Sequence, residues 1–168
     1  VNQSQAREYL EKWISALCEK EMDKPNVHIV IDVDYLTVEE VVFAHSLVMK
    51  QFDEPENAGV LHPDRLIAAV KRPQMIHFGV EIHPNIWQKA GSLVQSIVND
   101  HIFQNGNKRT AFACLYYFLD KNGYPLRFPP MLAEEFMVAI ATNSWFKGDN
   151  GAKNIGVLLE RLVKNYES

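Results

Sequence analysis

Two cysteines in 168 residues, Cys18 and Cys114, leave nothing to build a disulfide framework from, and Cys114 falls inside an apolar helical pattern as a buried thiol. No apolar run reaches the roughly 18 residues that a membrane-spanning helix needs, and no basic segment followed by an apolar stretch opens the chain. The expectation is a soluble cytoplasmic protein with no membrane partner. Positive charge is also scarce, with 17 Lys+Arg against 21 Asp+Glu and a net charge of −4. A broad nucleic-acid surface therefore has no electrostatic footprint, while a small local anion site stays open. Internal repeats and low-complexity tracts are missing too, which excludes solenoids and linkers. What is present is the balance of one globular domain, 47% hydrophobic and 23% charged.

The pattern is mostly helical. Tyr9, Leu10, Trp13, Ile14 and Leu17 give residues 5–21 an amphipathic helix, and the β-branched run Val27–Ile31 reads as a strand or extended connector. Thr37 and Glu40 form a capping box ahead of Val41, Val42, His45, Leu47 and Val48. Pro63 starts a further helix with Leu66, Ile67 and Val70 on its apolar face, ended by Pro73. Residues 74–84 lack helical period. Ile86 to Ile97 then reads as a buried helix with Gly91 and Ser92 allowing close packing, and Asn107 begins another, closed at Asn122-Gly123. Leu132–Ala141 and Ile155–Val163 supply the last two helices. Trp87 and Trp145 read as packing residues.

One segment carries chemistry. His101-Ile102-Phe103-Gln104-Asn105-Gly106-Asn107-Lys108-Arg109 joins two apolar helices by a short polar loop. A helix start presents unpaired amides and about half a positive charge, and Gly106 permits close backbone approach, so the loop is suited to cradle phosphate. Lys108 and Arg109 oppose the helix dipole unless an anion sits there. His101 stands where a general base on an incoming hydroxyl would stand. Phe103 reads as the plug that packs the loop on the core.

This stretch resembles the Fic/Doc motif H-x-F-x-(D/E)-(G/A)-N-(G/K)-R and is most similar to its Doc branch, the toxins of phage-type toxin–antitoxin pairs. Leu36-Thr37-Val38-Glu39-Glu40, Gly59 to Leu66, Arg72-Pro73-Gln74 and Phe118 to Gly123 fit as well, so the likeness covers roughly residues 35–165. It implies a mainly α single bundle with a short β-hairpin flap near the active-site loop. Residues 1–34 would be an N-terminal helix plus connector, and residues 35–168 the family domain. It implies a nucleotide-dependent transferase acting on a protein hydroxyl with ATP and Mg²⁺. His101 would be the base; Gly106, Asn107, Lys108 and Arg109 would hold or shape the phosphate site; Phe103 would anchor the loop. Lys108, at a position where AMP-transferring members have glycine, favours a Doc-like kinase that passes the γ-phosphate to a translation factor. An adenylyltransferase and a non-catalytic nucleotide-binding module are the alternatives.

Asn105 departs from the family pattern, whose acid at that position ligates Mg²⁺, so metal binding there should be weakened. Residues 74–84 would be the flap along which the protein substrate lies, with His77 and His83 as exposed side chains rather than metal ligands. An antitoxin protein is the other expected partner, and nucleic acid is not expected. The family's inhibitory (S/T)-x-x-x-E-(G/N) helix is matched only in part, by Ser4 to Glu8 and by Ser15 to Glu19.

Overall fold

The computed structural model describes residues 2–19, 32–52 and 54–167. Among them it is a helical bundle: α1 (Gln3–Glu19), α2 (Val38–Gln51), α3 (Pro63–Lys71), α4 (Ile86–Asn99), α5 (Asn107–Lys121), α6 (Pro130–Thr142) and α7 (Gly151–Glu167), with one antiparallel hairpin, β1 (Ile76–His77) and β2 (Val80–Glu81). The expected strand at 27–31 lies outside the described residues.

The first helix forms where its period predicts. Ala6, Leu10, Ile14 and Leu17 recur every three or four residues, and all four are buried. That stripe packs on α6, where Arg7 pairs with the buried Glu135 at 3.1 Å. The Arg7 and Gln3 side chains hold the Glu135 carboxyl below the usual carboxylate range.

Only half of the capping box at α2 forms. The Thr37 hydroxyl accepts the Glu40 amide at 3.1 Å, but the Glu40 carboxylate accepts from Lys121 Nζ at 3.2 Å instead of turning back to Thr37. A charged partner on α5 outcompetes a local amide. Two apolar assignments are corrected by helix geometry. Val41, His45 and Val48 face inward, whereas Leu47 is exposed because two residues past His45 lies about 200° around the axis. Ile67, one step of about 100° beyond the buried Leu66, is exposed as well.

The central helix, α4, is enclosed on nearly every side, with Ile86, Ala90, Leu93, Val94 and Ile97 in the core. Its partner α7 approaches along two glycines. A Cβ at Gly91 would run into the Ala152 carbonyl, and one at Gly156 would meet the backbone of Trp87 and Gln88 at 2.9 Å. Trp87 is buried and Trp145 half-buried beside Phe146. On α5, Cys114 is fully buried and its thiol is pushed up to about 12, which makes it inert. That helix ends as expected, with Gly123 in the left-handed region at φ 87° and Tyr124 N–H donating to the Leu119 carbonyl at 2.8 Å.

The hairpin turns through Phe78 (φ 48°) and Gly79 (φ 76°), the two left-handed residues that a tight two-residue hairpin demands. Its apolar side chains point to solvent, Phe78 at 93% exposure. What holds it is Lys89 of α4, a fully buried lysine whose Nζ donates to the Pro73 carbonyl at 3.2 Å and pairs with Glu81 of β2 at 3.1 Å.

Candidate active site

The loop between α4 and α5 is pinned from three directions. Ile102 gives its carbonyl to the amides of Leu61 (2.8 Å) and His62 (3.2 Å), and Gln104 N–H donates to the Gly59 carbonyl at 2.9 Å. Asn107 closes the loop on itself: its Oδ1 accepts the Phe103 amide and its Nδ2 donates to the Phe103 carbonyl, both at 3.0 Å. Both polar ends of the Asn107 side chain are thus spent on shaping the backbone. Phe103 is buried and stacked on His45, ring centroids 3.9 Å apart.

His45 is the residue that sequence reasoning passed over. It was legible only as one position in an apolar period, yet it reaches the loop from α2 through both nitrogens. Nε2 accepts the Gly59 amide at 3.2 Å, which leaves the proton on Nδ1 to be donated to Thr110 Oγ1 at 2.9 Å. Burial pushes its pKa below the ordinary histidine value. A neutral imidazole therefore stacks on the plug and ties the loop to the first turn of α5.

Gly106 caps α5 in the left-handed region at φ 71°, with no side chain closing the first amides. A Cβ there would sit 2.7 Å from Met49 Sδ. The helix start is an open donor set of the kind that receives an anion. His101 lies just beyond the C-terminus of α4, where Asp100 takes the capping position, and is itself left-handed at φ 49°. That conformation is uncommon for a non-glycine residue. His101 and Lys108 wall the same cavity of about 630 Å³, together with Arg72, Lys147 and Asp100. Arg72 is committed to Asp100 at 2.9 Å. Among the described residues Lys108 makes no ion pair and is exposed to the cavity.

Arg109, one residue on, does not line that cavity. Its guanidinium lies over the Phe52 ring at 4.4 Å and 3.9 Å from the Glu54 carboxylate. That glutamate comes from the loop after α2, not from α1. It also accepts from Asn105 Nδ2 at 2.7 Å, while Asn105 Oδ1 accepts the Gly106 amide at 2.8 Å. No signal in the sequence separated Glu54 from its acidic neighbours in residues 53–56. Among the described residues no cluster of three or more His, Cys, Asp or Glu side chains is arranged to hold a metal. A cation at this loop would share its ligands with a phosphate-bearing substrate, as Mg²⁺ commonly does. In the flap, His77 is exposed against Phe78, as expected, but His83 is half-buried. Its pKa is lowered by burial and by the charge of Lys89.

The Fic/DOC family model matches residues 35–119, the stretch from the α2 entry to the end of the buried face of α5. Toxin Doc of Mycolicibacterium smegmatis is 38% identical over 111 residues, which cover 65% of this chain and 82% of that protein. The pinned loop, the open helix start and the hairpin lie within this matched region, and the chain belongs to the Fic/Doc family, in its Doc-like branch.

Proposed function

We propose that this protein is a Doc-like kinase, transferring the γ-phosphoryl group of ATP to a hydroxyl of a protein. Members of the family are typically transferases, and the choice of phosphoryl over adenylyl transfer rests on Lys108. The observation that carries it is that Lys108 lines the same cavity as His101, free of an ion-pair partner among the described residues. A free cation in the cavity of the base attracts the most charged end of the nucleotide. That end is the γ-phosphate.

In this reading the acceptor segment lies along the hairpin of residues 74–84, whose exposed edge offers main-chain donors and acceptors to an added strand. His101 takes the acceptor hydroxyl proton as the oxygen attacks the γ-phosphorus. The bond from that phosphorus to the bridging oxygen breaks, and ADP leaves with the electron pair. The α5 amides and Arg109 hold phosphate oxygens, worth several kcal/mol when donors are fixed in advance. Gly106 lets the phosphates approach, Asn107 shapes the loop, and Phe103 anchors it. Mg²⁺ bound at the Asn105 edge of the loop would neutralise phosphate charge.

The name of the M. smegmatis relative supports a toxin-type role with an antitoxin as partner; that the acceptor is a cytoplasmic translation factor is part of the same proposal. We assign residues 35–168 to the family domain and 1–34 to an N-terminal helix with its connector. The experiment is to incubate the protein with bacterial lysate and ATP labelled at the α or γ position. Label from γ on a protein band supports the kinase, and Lys108→Gly should reduce it. Label from α replaces it with adenylyl transfer, and no label from either with an intact fold leaves a nucleotide-binding module.

A further inference from the structure

The corner at which α4 ends combines two unfavourable choices. The Asp100 carboxylate meets the negative end of the α4 dipole, and α4 has no basic residue in its last turn to offset it. His101 follows at φ 49°, a conformation that a residue with a Cβ seldom adopts. Such a corner persists only where its surroundings hold it. What holds it comes from α3 and the residues just before it.

Arg65 of α3 and Arg72 at its C-cap stand seven residues apart, about 20° short of two full helical turns, so they share one face. Arg65 Nη1 donates to the Asp100 carbonyl at 2.8 Å. Arg72 Nη1 donates to the Asp100 carboxylate at 2.9 Å and to Ser96 Oγ at 2.6 Å. The cations missing from the last turn of α4 thus arrive from a second helix, as charge-assisted hydrogen bonds. On the other side of His101 the Ile102 carbonyl accepts the Leu61 and His62 amides at 2.8 and 3.2 Å. Residues 61–65 therefore hold the carbonyls of both neighbours of His101. With both neighbours held, the backbone at His101 has little room to leave its left-handed conformation.

We propose that Arg65 is a positioning residue for His101, an assignment that rests on the phosphoryl-transfer reading above. Through the Asp100 carbonyl it keeps the histidine in the conformation from which the ring takes the acceptor proton, while Arg72 holds the carboxylate of the same aspartate. Asp100, His101 and Arg72 line the cavity, and Arg65 does not. Its part is therefore played through the backbone, on the rate of transfer and not on the binding of ATP. That makes Arg65 the cleaner of the two arginines to change.

The test joins turnover, binding and the state of the ring. Transfer of γ label to lysate protein is measured at saturating ATP, ATP affinity by calorimetry, and the His101 ring resonances by NMR on protein labelled in its histidine rings. Arg65→Met should lower transfer about tenfold or more while ATP affinity stays within about twofold. The His101 ring resonances should shift, and those of His83 should not. Arg65→Lys, which keeps a charged donor, should recover part of the transfer and of the parental spectrum. The Arg65 side chain is exposed, so the fold should survive both substitutions, and melting curves establish that it does. Transfer at the parental rate, or unmoved His101 resonances, overturns the assignment and leaves the kinase reading standing. So does a loss of ATP affinity beyond tenfold, which would make Arg65 a phosphate ligand. A parent that transfers no label overturns the kinase reading itself, and the resonances then decide alone whether Arg65 holds His101.

Discussion

Replacing His45 with alanine should loosen the active-site loop while leaving every residue of the motif in place. The imidazole is 2% exposed and makes three contacts that alanine cannot: the Gly59 amide at 3.2 Å, Thr110 Oγ1 at 2.9 Å and the face of Phe103 at 3.9 Å. A half-buried amide such as that of Gly59, left without an acceptor, costs up to about 1–3 kcal/mol, and the lost Thr110 bond about 1 kcal/mol. The ring pair adds about 0.5–1.5 kcal/mol. Together they amount to about 2.5–5.5 kcal/mol, and at about 2–4 °C per kcal/mol for a chain of this size the melting temperature should fall by roughly 5–22 °C. Acid should act on the same residue. Burial lowers the folded-state pKa, so the neutral ring's contribution is fully present above the unfolded value of about 6.5 and is lost as pH falls through the lower folded value. Melting curves of the parent at pH 7.5 and 5.5 should therefore separate more than those of His45→Ala. A variant that melts within 2 °C of the parent, or an acid slope that the substitution leaves unchanged, would refute the assignment of His45 as the clamp of the loop.

His101→Ala should abolish label transfer to protein while ATP affinity by calorimetry stays within about twofold, because the base acts on the acceptor and not on the phosphates; transfer at the parental rate removes it from that role. Gly106→Ala places a Cβ in a left-handed conformation and 2.7 Å from Met49 Sδ, so urea denaturation should show a loss of about 1–3 kcal/mol, and a loss below about 0.5 kcal/mol would contradict the strain argument. Lys89→Met removes a buried ammonium that holds the hairpin and leaves the Glu81 carboxylate, 48% exposed, to water rather than stranded in the core, so the global cost should be small. Hydrogen exchange of amides 76–81 should rise about tenfold with little change in melting temperature, and unchanged exchange would show that the hairpin is held elsewhere.

The helices were legible because their apolar residues recur at the period of the helix, and the motif loop because glycine, asparagine and two cations sit between two such patterns. Turn chemistry was legible too, at Thr37 and at Asn122-Gly123. What the sequence concealed are pairings across distance. Glu40 is a local cap by spacing and a partner of Lys121 by tertiary contact. His45 and Glu54 carry no signature, since a histidine in an apolar stripe and a glutamate in an acidic loop look like many others. Their importance arises from landing within 3.2 Å of groups that are 14 to 65 residues away. Lys89 is the same case, a surface residue by type that is buried because two acceptors meet it.

The glycine contacts between α4 and α7 have a consequence for how the site keeps its alignment. Helix α4 carries Lys89, which fixes the hairpin, and is capped eleven residues later by Asp100, next to the proposed base. That is a span of about 16 Å along one rigid rod. Hairpin and base are thus surveyed from a common datum, and the distance between an acceptor lying on one and the ring of the other is set by helix length rather than by loop conformation. The rod is steadied by α7, which falls outside residues 35–119, so the alignment of the family's motif depends on a buttress that the motif's own segment does not contain. Cutting the chain after α5 would keep every residue of the loop and of the rod and lose the helix that steadies both.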